Sequence, residues 1–292
     1  MPELPEVEII VRELKAEVLN RTFLDTWTDA ESLIKNYNFE DFRKIIKGKK
    51  IIDIRRRGKN ILIDLSSNYI LLIHQKITGH LLLGNLVFEN GKWMSKEKGP
   101  LSDDPMNRFL HIVFSLSDGR QLALSDARKF AKIELWQKDA LEKSKEYTKL
   151  GPEPLDKEFT LEKFKALFVK KKGKIKQVLM DQNFIVGIGN IYASEILFSA
   201  RIHPEEDIAK LDKEDLKRIY SSMVKILNKS IELKGDSFSD FRTLSGEKGG
   251  FQSIVNVYQR EGQECFKCGE KIKRIVQGGR SSFYCPKCQP KK

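Results

Sequence analysis

Residues 265–288 read CFKCGEKIKRIVQGGRSSFYCPKC, and their spacing decides how the chain ends. Two C-x-x-C pairs, Cys265/Cys268 and Cys285/Cys288, bracket sixteen residues. Gly269 follows the first pair and Pro286 lies within the second, so each pair can occupy a tight turn that aims both sulfurs at one ion. Four thiolates at this spacing suit tetrahedral coordination of one structural Zn2+. Two disulfides are the rival reading, and an intracellular chain with no other cysteine argues against them. Four sulfurs leave no open position for an activated water, and no cysteine remains to act as a nucleophile.

Working outward, the basic charge is the next signal. The 292 residues include 53 Lys+Arg against 41 Asp+Glu, a formal charge of +12. Eight of the basic residues and a single acid, Glu270, lie between Cys265 and Lys292. Further clusters are RRRGK at 55–59 and VKKKGKIK at 169–176. Solvated faces are the bland reading of such runs. Three clusters in differently built segments favour a shared surface for a polyanion such as duplex DNA, held through its phosphates. No apolar run approaches the roughly 20 residues of a bilayer span. The chain is therefore expected to be soluble and cytoplasmic, with no membrane partner.

The remaining texture divides in two. Residues 2–18 carry apolar positions at helical spacing, with Pro5 and acids suited to a first turn. From about Lys49 to Trp136 short strands alternate with turn signals, which predicts an antiparallel sandwich or barrel. MSKEKGPLSDDPMNR (94–108) reads as a surface loop and LGPEPLDKE (150–158) as a linker. Helical periodicity follows, with Thr160 a candidate cap. In IVGIGNIY (185–192) a glycine turn leads into a helix that Asn190 can cap, and such a helix start can receive phosphate. Residues 235–252, rich in glycine, serine and charge, read as a mobile loop. The predicted class is α+β and multidomain.

Four ordered motifs carry a resemblance. PELPEVE (2–8), LGPEPL (150–155), DQNFIVGIGNIYASEILFSARIHP (181–204) and GGRSSFYCPKCQ (278–289) resemble those of the formamidopyrimidine-DNA glycosylases and their endonuclease VIII relatives. The resemblance covers nearly the whole chain. It implies an N-terminal helix plus antiparallel β-sandwich (2–150), a helical domain with a helix–two-turn–helix element (151–250) and a zinc ribbon (251–292). It implies the activity of a DNA glycosylase and abasic-site lyase for oxidised purines. It also implies loss of the initiator methionine, so that the Pro2 amine attacks C1′ of the damaged nucleotide. A secondary amine gives an iminium directly on loss of the base. A terminal amine, with a generic pKa of roughly 7.7–8.0, is partly neutral near pH 7.

By the same resemblance Glu3 is the acid/base at the sugar, and Glu6 orders the nucleophile and its water. Lys59 contacts phosphate beside the lesion and assists elimination. Arg280, on the zinc hairpin, grips phosphates around the extruded nucleotide. Lys176 and Asn190, with Lys171 as a neighbour, contact phosphate, and His74 contacts DNA. Ile77, Arg128 and Phe130 fill the gap that base extrusion leaves. Without the resemblance, Phe130 reads as core, Lys59 as a solvated hairpin lysine and Glu6 as a helix-start acid.

The sequence also departs from the family pattern. Ile77 replaces a methionine, Phe109 a histidine, Ala131 and Gln259 glycines, and Ser239 a lysine. Base choice is what these put in question. Oxidised pyrimidines are therefore the alternative substrate, and a non-catalytic DNA-binding module is the alternative class. The expected partner is duplex DNA bearing an oxidised base or abasic site, bound by a monomer.

Overall fold

A computed structural model describes residues 1–292. The chain forms two compact units, one of residues 1–148 with 233–252 and the other of residues 149–232 with 253–292. This division cuts across three consecutive blocks: the segment 233–252 packs with the first unit, and the zinc module packs with the helices of the second.

In the first unit, α1 (Leu4–Val18) is followed by β1 (Phe23–Thr28), α2 (Phe39–Ile46), β2 (Ile51–Arg57), β3 (Asn60–Leu65) and β4 (Tyr69–His74). Then come β5 (His80–Gly84), β6 (Leu86–Glu89), β7 (Lys92–Ser95), α3 (Pro100–Asp103), β8 (Leu110–Leu116), β9 (Gln121–Ser125) and β10 (Lys132–Gln137). Two short helices, α4 (Lys138–Lys143) and α5 (Lys145–Thr148), complete it. Two four-stranded antiparallel sheets, ordered β1-β8-β9-β5 and β10-β4-β3-β2, form the sandwich. Val7, Ile10, Leu14 and Val18 of α1 recur at helical spacing and join Ile63, Ile73, Leu83, Phe114 and Leu124 in one core.

The outer sheet faces are covered as well. Leu62, Ile70 and Leu72 lie under Leu141, Trp136 and Tyr147. Leu82, Leu110 and Val113 lie under Trp93 and Leu101. Burial on both faces explains why NILIDL and YILLIH carry apolar runs rather than strict alternation.

The segment 94–108, expected as a loop, contains the end of β7, α3 and a short 3-10 turn at Pro105–Arg108. The segment 235–252, expected to be mobile, is packed although it forms almost no regular structure. The Leu83 N–H donates to the Leu244 carbonyl at 2.9 Å, which attaches the segment to β5. The Leu244 N–H donates to Glu13 at 2.9 Å. Arg242, 4 % exposed, pairs with Asp104 through two bonds of 2.7 and 3.1 Å.

The second unit holds α6 (Leu161–Phe168), α7 (Ile175–Met180), α8 (Asn190–Ala200), α9 (Lys213–Glu232) and the hairpin β11 (Lys273–Gln277) and β12 (Arg280–Tyr284). Thr160 caps α6 as the sequence predicts, accepting the Lys163 N–H. Asn190 does not cap α8. Gly189 is the cap residue, and Asn190 is the first residue of the helix. No helix is long and apolar enough to cross a membrane.

The Arg242–Asp104 pair should be what holds 233–252 down. Arg242→Ala removes a buried guanidinium and its two bonds to the half-buried Asp104, at a cost of roughly 1.5–3 kcal/mol. Limited proteolysis should then cut the variant within 233–252 at concentrations that leave the parent intact.

Candidate active site and nucleic-acid interface

The start of the chain is held by carboxylates. Glu3 is the N-cap of α1, and its side chain accepts the Glu6 N–H while Glu6 accepts the Glu3 N–H at 2.8 Å. This reciprocal box satisfies amides that a helix start leaves open. The second Glu6 oxygen accepts the Asp236 N–H at 2.8 Å. Glu3 and Glu6 are 2 % and 1 % exposed, and Pro2 is buried beside them. Gly235, at φ +76°, lies so close that an added Cβ would sit 2.9 Å from the same Glu6 oxygen. Glu6 therefore acts as the helix-start acid and also joins the first residues to residue 236.

Asp236 was not singled out from sequence. Its acid is pushed up to about 7 by burial, then by the negative charge of Glu6 with Glu3 adding to it. The Phe238 N–H and the amino terminus oppose the shift. An acid two residues into a glycine–serine segment carries no sequence signal. Only the approach of Glu6 gives it an environment.

Lys59 occupies a two-residue turn with Gly58, between the paired residues Arg57 and Asn60. Gly58 has φ +58°, as such turns require. Lys59 is 8 % exposed, so it is not a solvated hairpin lysine. His74 ends β4, half-buried, and its Nδ1 accepts the Lys76 N–H at 3.0 Å. Burial, then the charges of Lys76, Lys59 and Lys132, hold its pKa down to about 3. The ring is neutral with its proton on Nε2, a donor rather than a cation.

Ile77 and Phe130 are 40 % and 46 % exposed, and Phe109 is 38 % exposed. Phe130 is therefore not core. The Arg128 guanidinium stacks on the Phe130 ring at 4.5 Å from its centroid.

In the second unit, Lys176 is 2 % exposed and its ammonium donates to the Ser281 carbonyl at 3.1 Å and the Ser282 hydroxyl at 2.8 Å. It is not a solvated helix lysine but fastens α7 to the zinc hairpin. Lys171 pairs with Asp181 at 2.7 Å. Arg280 is exposed at the start of β12, after the two-residue turn Gly278-Gly279 with both φ positive. Lys176, Gln177, Met180, Asp181, Gln277, Gly278 and Arg280 line one cleft of about 240 Å³. The Asn190 side-chain oxygen is buried with no hydrogen-bond partner. Glu195 of α8 accepts the N–H groups of Asn256, Val257 and Tyr258, each at 2.9 Å, which ties the approach to the zinc module to the helix. Sequence reasoning missed this link, because the partners of Glu195 lie some sixty residues further on and a lone helix glutamate reads as solvated.

The four cysteine sulfurs lie within 4.8 Å of one another, with separations of 3.9, 3.4 and 3.5 Å among them. A tetrahedron of thiolates about 2.3 Å from zinc has edges of roughly 3.8 Å, whereas a disulfide needs about 2.05 Å. The donor set fits one structural zinc and excludes the disulfide reading.

Two of the basic clusters are largely engaged within the protein. Arg55 pairs with Asp64 at 2.8 Å, Arg56 with Glu8 at 2.9 Å, and Arg57 stacks over Tyr147 at 5.9 Å. In 169–176, Lys174 pairs with Asp207 at 3.5 Å, besides the engagements of Lys171 and Lys176. Charge pairing across the fold is invisible in a single segment, so the runs overstate how many of these side chains are open to a polyanion.

Three family models match the chain. They are the formamidopyrimidine-DNA glycosylase N-terminal domain at 1–133, the H2TH domain of the same glycosylase at 150–242, and a zinc finger found in FPG and IleRS at 262–291. A formamidopyrimidine-DNA glycosylase of Pelotomaculum thermopropionicum is 39 % identical over 289 residues, covering 99 % of both chains. One from Bacillus cereus is 35 % identical over 292 residues, covering 100 % of both. Among solved structures, a Lactococcus lactis FPG mutant with DNA containing Fapy-dG has a TM-score of 0.86 at 31 % identity. The Lactococcus lactis enzyme with abasic-site DNA has 0.85 at 32 %. Both comparisons cover 99 % of this chain and 100 % of the other.

Two outcomes follow from the geometry. Folded Asp236 keeps its proton up to about pH 7 where an ordinary aspartate loses it near 3.8, so its contribution to stability is whole below that value and fades as pH rises through about 7. Asp236→Asn should therefore melt higher than the parent at pH 8, and the two curves should converge in acid. Metal analysis should give one zinc per chain, and Cys288→Ser should lose it together with the ordered β11–β12 hairpin.

Proposed function

The chain belongs to the formamidopyrimidine-DNA glycosylase family, whose members couple base excision to abasic-site lyase chemistry, and we propose how its own residues divide that work on oxidised purines in duplex DNA. The Pro2 nitrogen, after removal of Met1, attacks C1′ and displaces the damaged base, and the C1′–O4′ bond then breaks, with a proton going to O4′, to give the ring-opened iminium. Glu3 moves protons at the sugar. The cationic adduct acidifies C2′, the 3′-phosphate leaves by elimination, and the 5′-phosphate follows. Lys59 assists at the flanking phosphate and Arg280 at the second elimination. Lys171, Asn190 and His74 position the strand, Lys176 acts through the zinc hairpin it fastens, and Ile77, Arg128 and Phe130 fill the vacated stack. Residues 2–148, with 233–252 packed into the same unit, carry the chemistry, 149–232 hold DNA, and 253–292 supply the zinc-held arginine. We take the protein to act as a cytoplasmic monomer.

The observation that carries this reading is the reciprocal Glu3–Glu6 cap. It fixes the backbone immediately after Pro2 and sets a buried carboxylate within one residue of the attacking nitrogen. A terminal amine on a frayed segment would have no such orientation. The closed zinc site and the absence of any cysteine outside it leave the metal a supporting part.

A second substrate reading has its own support. A Lactococcus lactis FPG complex with oxidised-pyrimidine DNA matches with a TM-score of 0.84. Here Ser239 is exposed on the loop, with its carbonyl accepting Arg242 at 3.0 Å. Competing 8-oxoguanine and thymine-glycol duplexes should show faster excision of the purine. The reverse order would transfer the assignment to pyrimidines.

Borohydride trapping on a duplex with one 8-oxoguanine should yield a covalent adduct whose peptide map ends at Pro2, and intact mass should show Met1 absent. An undiminished adduct in Pro2→Gly, carried by a lysine, would overturn the assignment. Glu3→Gln should slow excision by roughly 10²–10⁴-fold, the range for a lost acid/base group.

A further inference from the structure

The three side chains assigned to fill the vacated stack come from two separate loops. Ile77 lies between β4 and β5, and Arg128 and Phe130 lie between β9 and β10. A wedge of this kind holds its shape under load from a duplex only if something fixes one loop to the other. Asp126, 0 % exposed at the end of β9, occupies that position. One of its carboxylate oxygens accepts the N–H groups of Phe130 and Ala131, both at 2.7 Å. The other accepts the Arg128 N–H at 3.3 Å and the hydroxyl of Thr78 in a short bond. Its own N–H donates to the Phe109 carbonyl at 2.9 Å, and its carbonyl accepts the Lys129 N–H at 3.1 Å.

These bonds do two things. Within the second loop they hold Arg128-Lys129-Phe130 in a conformation that puts Lys129 at φ +54°, a left-handed geometry that a non-glycine residue adopts only when surroundings impose it. Between the loops, the Thr78 hydroxyl is the hydrogen-bond link, and Thr78 is the neighbour of Ile77. Thr78 is 6 % exposed, so water does not compete for the bond. The loops also touch without slack: a Cβ added at Gly79 would lie 3.2 Å from the Ala131 Cβ.

We propose that Asp126 is the positioning residue of the wedge, clasping the Ile77 loop to the Arg128–Phe130 loop through Thr78 so that the three side chains enter a duplex as one body. The proposal rests on the reading of Ile77, Arg128 and Phe130 given above. Its consequence is selective. Extruding a stacked, paired base needs the wedge, whereas an abasic site has no base to extrude and asks less of it.

Single-turnover rates on two duplexes test it, one holding 8-oxoguanine and one a preformed abasic site, with 2-aminopurine beside the lesion to report unstacking. Thr78→Val keeps the shape of the side chain and deletes the hydroxyl. It should slow unstacking and 8-oxoguanine excision about tenfold, the scale of one lost buried hydrogen bond. Abasic-site cleavage should stay within about twofold on the same grounds. Thr78→Ser should restore excision, and Asp126→Asn should reproduce the selective loss if it folds. Phe130→Ala serves as the control for the wedge itself. If Phe130→Ala is impaired while Thr78→Val extrudes and excises normally, or loses both activities alike, the clasp is wrong and the wedge stands. If Phe130→Ala excises normally, the wedge reading fails and the clasp fails with it.

Discussion

The Glu6 carboxylate is the interaction on which the start of the first unit depends. One oxygen closes the cap with Glu3 and the other holds the amide of Asp236. A carboxylate with both oxygens hydrogen-bonded in a buried site is far better placed there than one left open, because an unmatched charge would carry its full desolvation cost. The same bond therefore orients the first residues and brings in a segment 230 positions away. Replacing Gly235 by any residue with a Cβ would push against this carboxylate, which makes the glycine a condition of the arrangement.

Buried acids recur as organisers throughout both units. Asp126 collects backbone amides and a hydroxyl around the exposed turn at Arg128–Phe130, Asp104 receives Arg242, and Glu195 receives three successive amides at the approach to the zinc module. Asp126 and Asp104 each follow directly on a regular element, Glu195 lies in the middle of α8, and all three hold an irregular segment. Loops that carry function cannot bury much apolar surface, and charge-assisted hydrogen bonds to backbone amides supply the rigidity that packing does not. The zinc does the same for the β11–β12 hairpin, too small to bury a core of its own. Internal pairing also thins the surface charge: arginines at 55 and 56 hold the fold, and the cationic surface is narrower than the composition suggests.

Much was legible in the residues themselves. The α1 stripe, the strands from Ile51 to Gln137, the Thr160 cap and the two C-x-x-C turns follow from contacts within a few positions, which a linear reading captures. β1 and α2 went unrecognised. FLDTWT has only a weak apolar alternation and becomes a strand by pairing with β8, about ninety residues on. The helix α2 is eight residues long, short for a periodic signal, although Asn38 caps it by accepting the Asp41 N–H at 2.8 Å. Residues 235–252 looked mobile because glycine and serine dominate them, yet Arg242, Leu244 and Asp236 each meet a partner far away in the chain.

The sequence by itself determined the zinc ligands, a matter of residue type at short spacing, and the ordered motifs by which the family is legible. The tertiary structure decided what Glu6, Asp126, Asp236 and Lys176 do. Their environments are made by segments that meet only on folding, and a buried charge takes its meaning from whichever donors that meeting supplies.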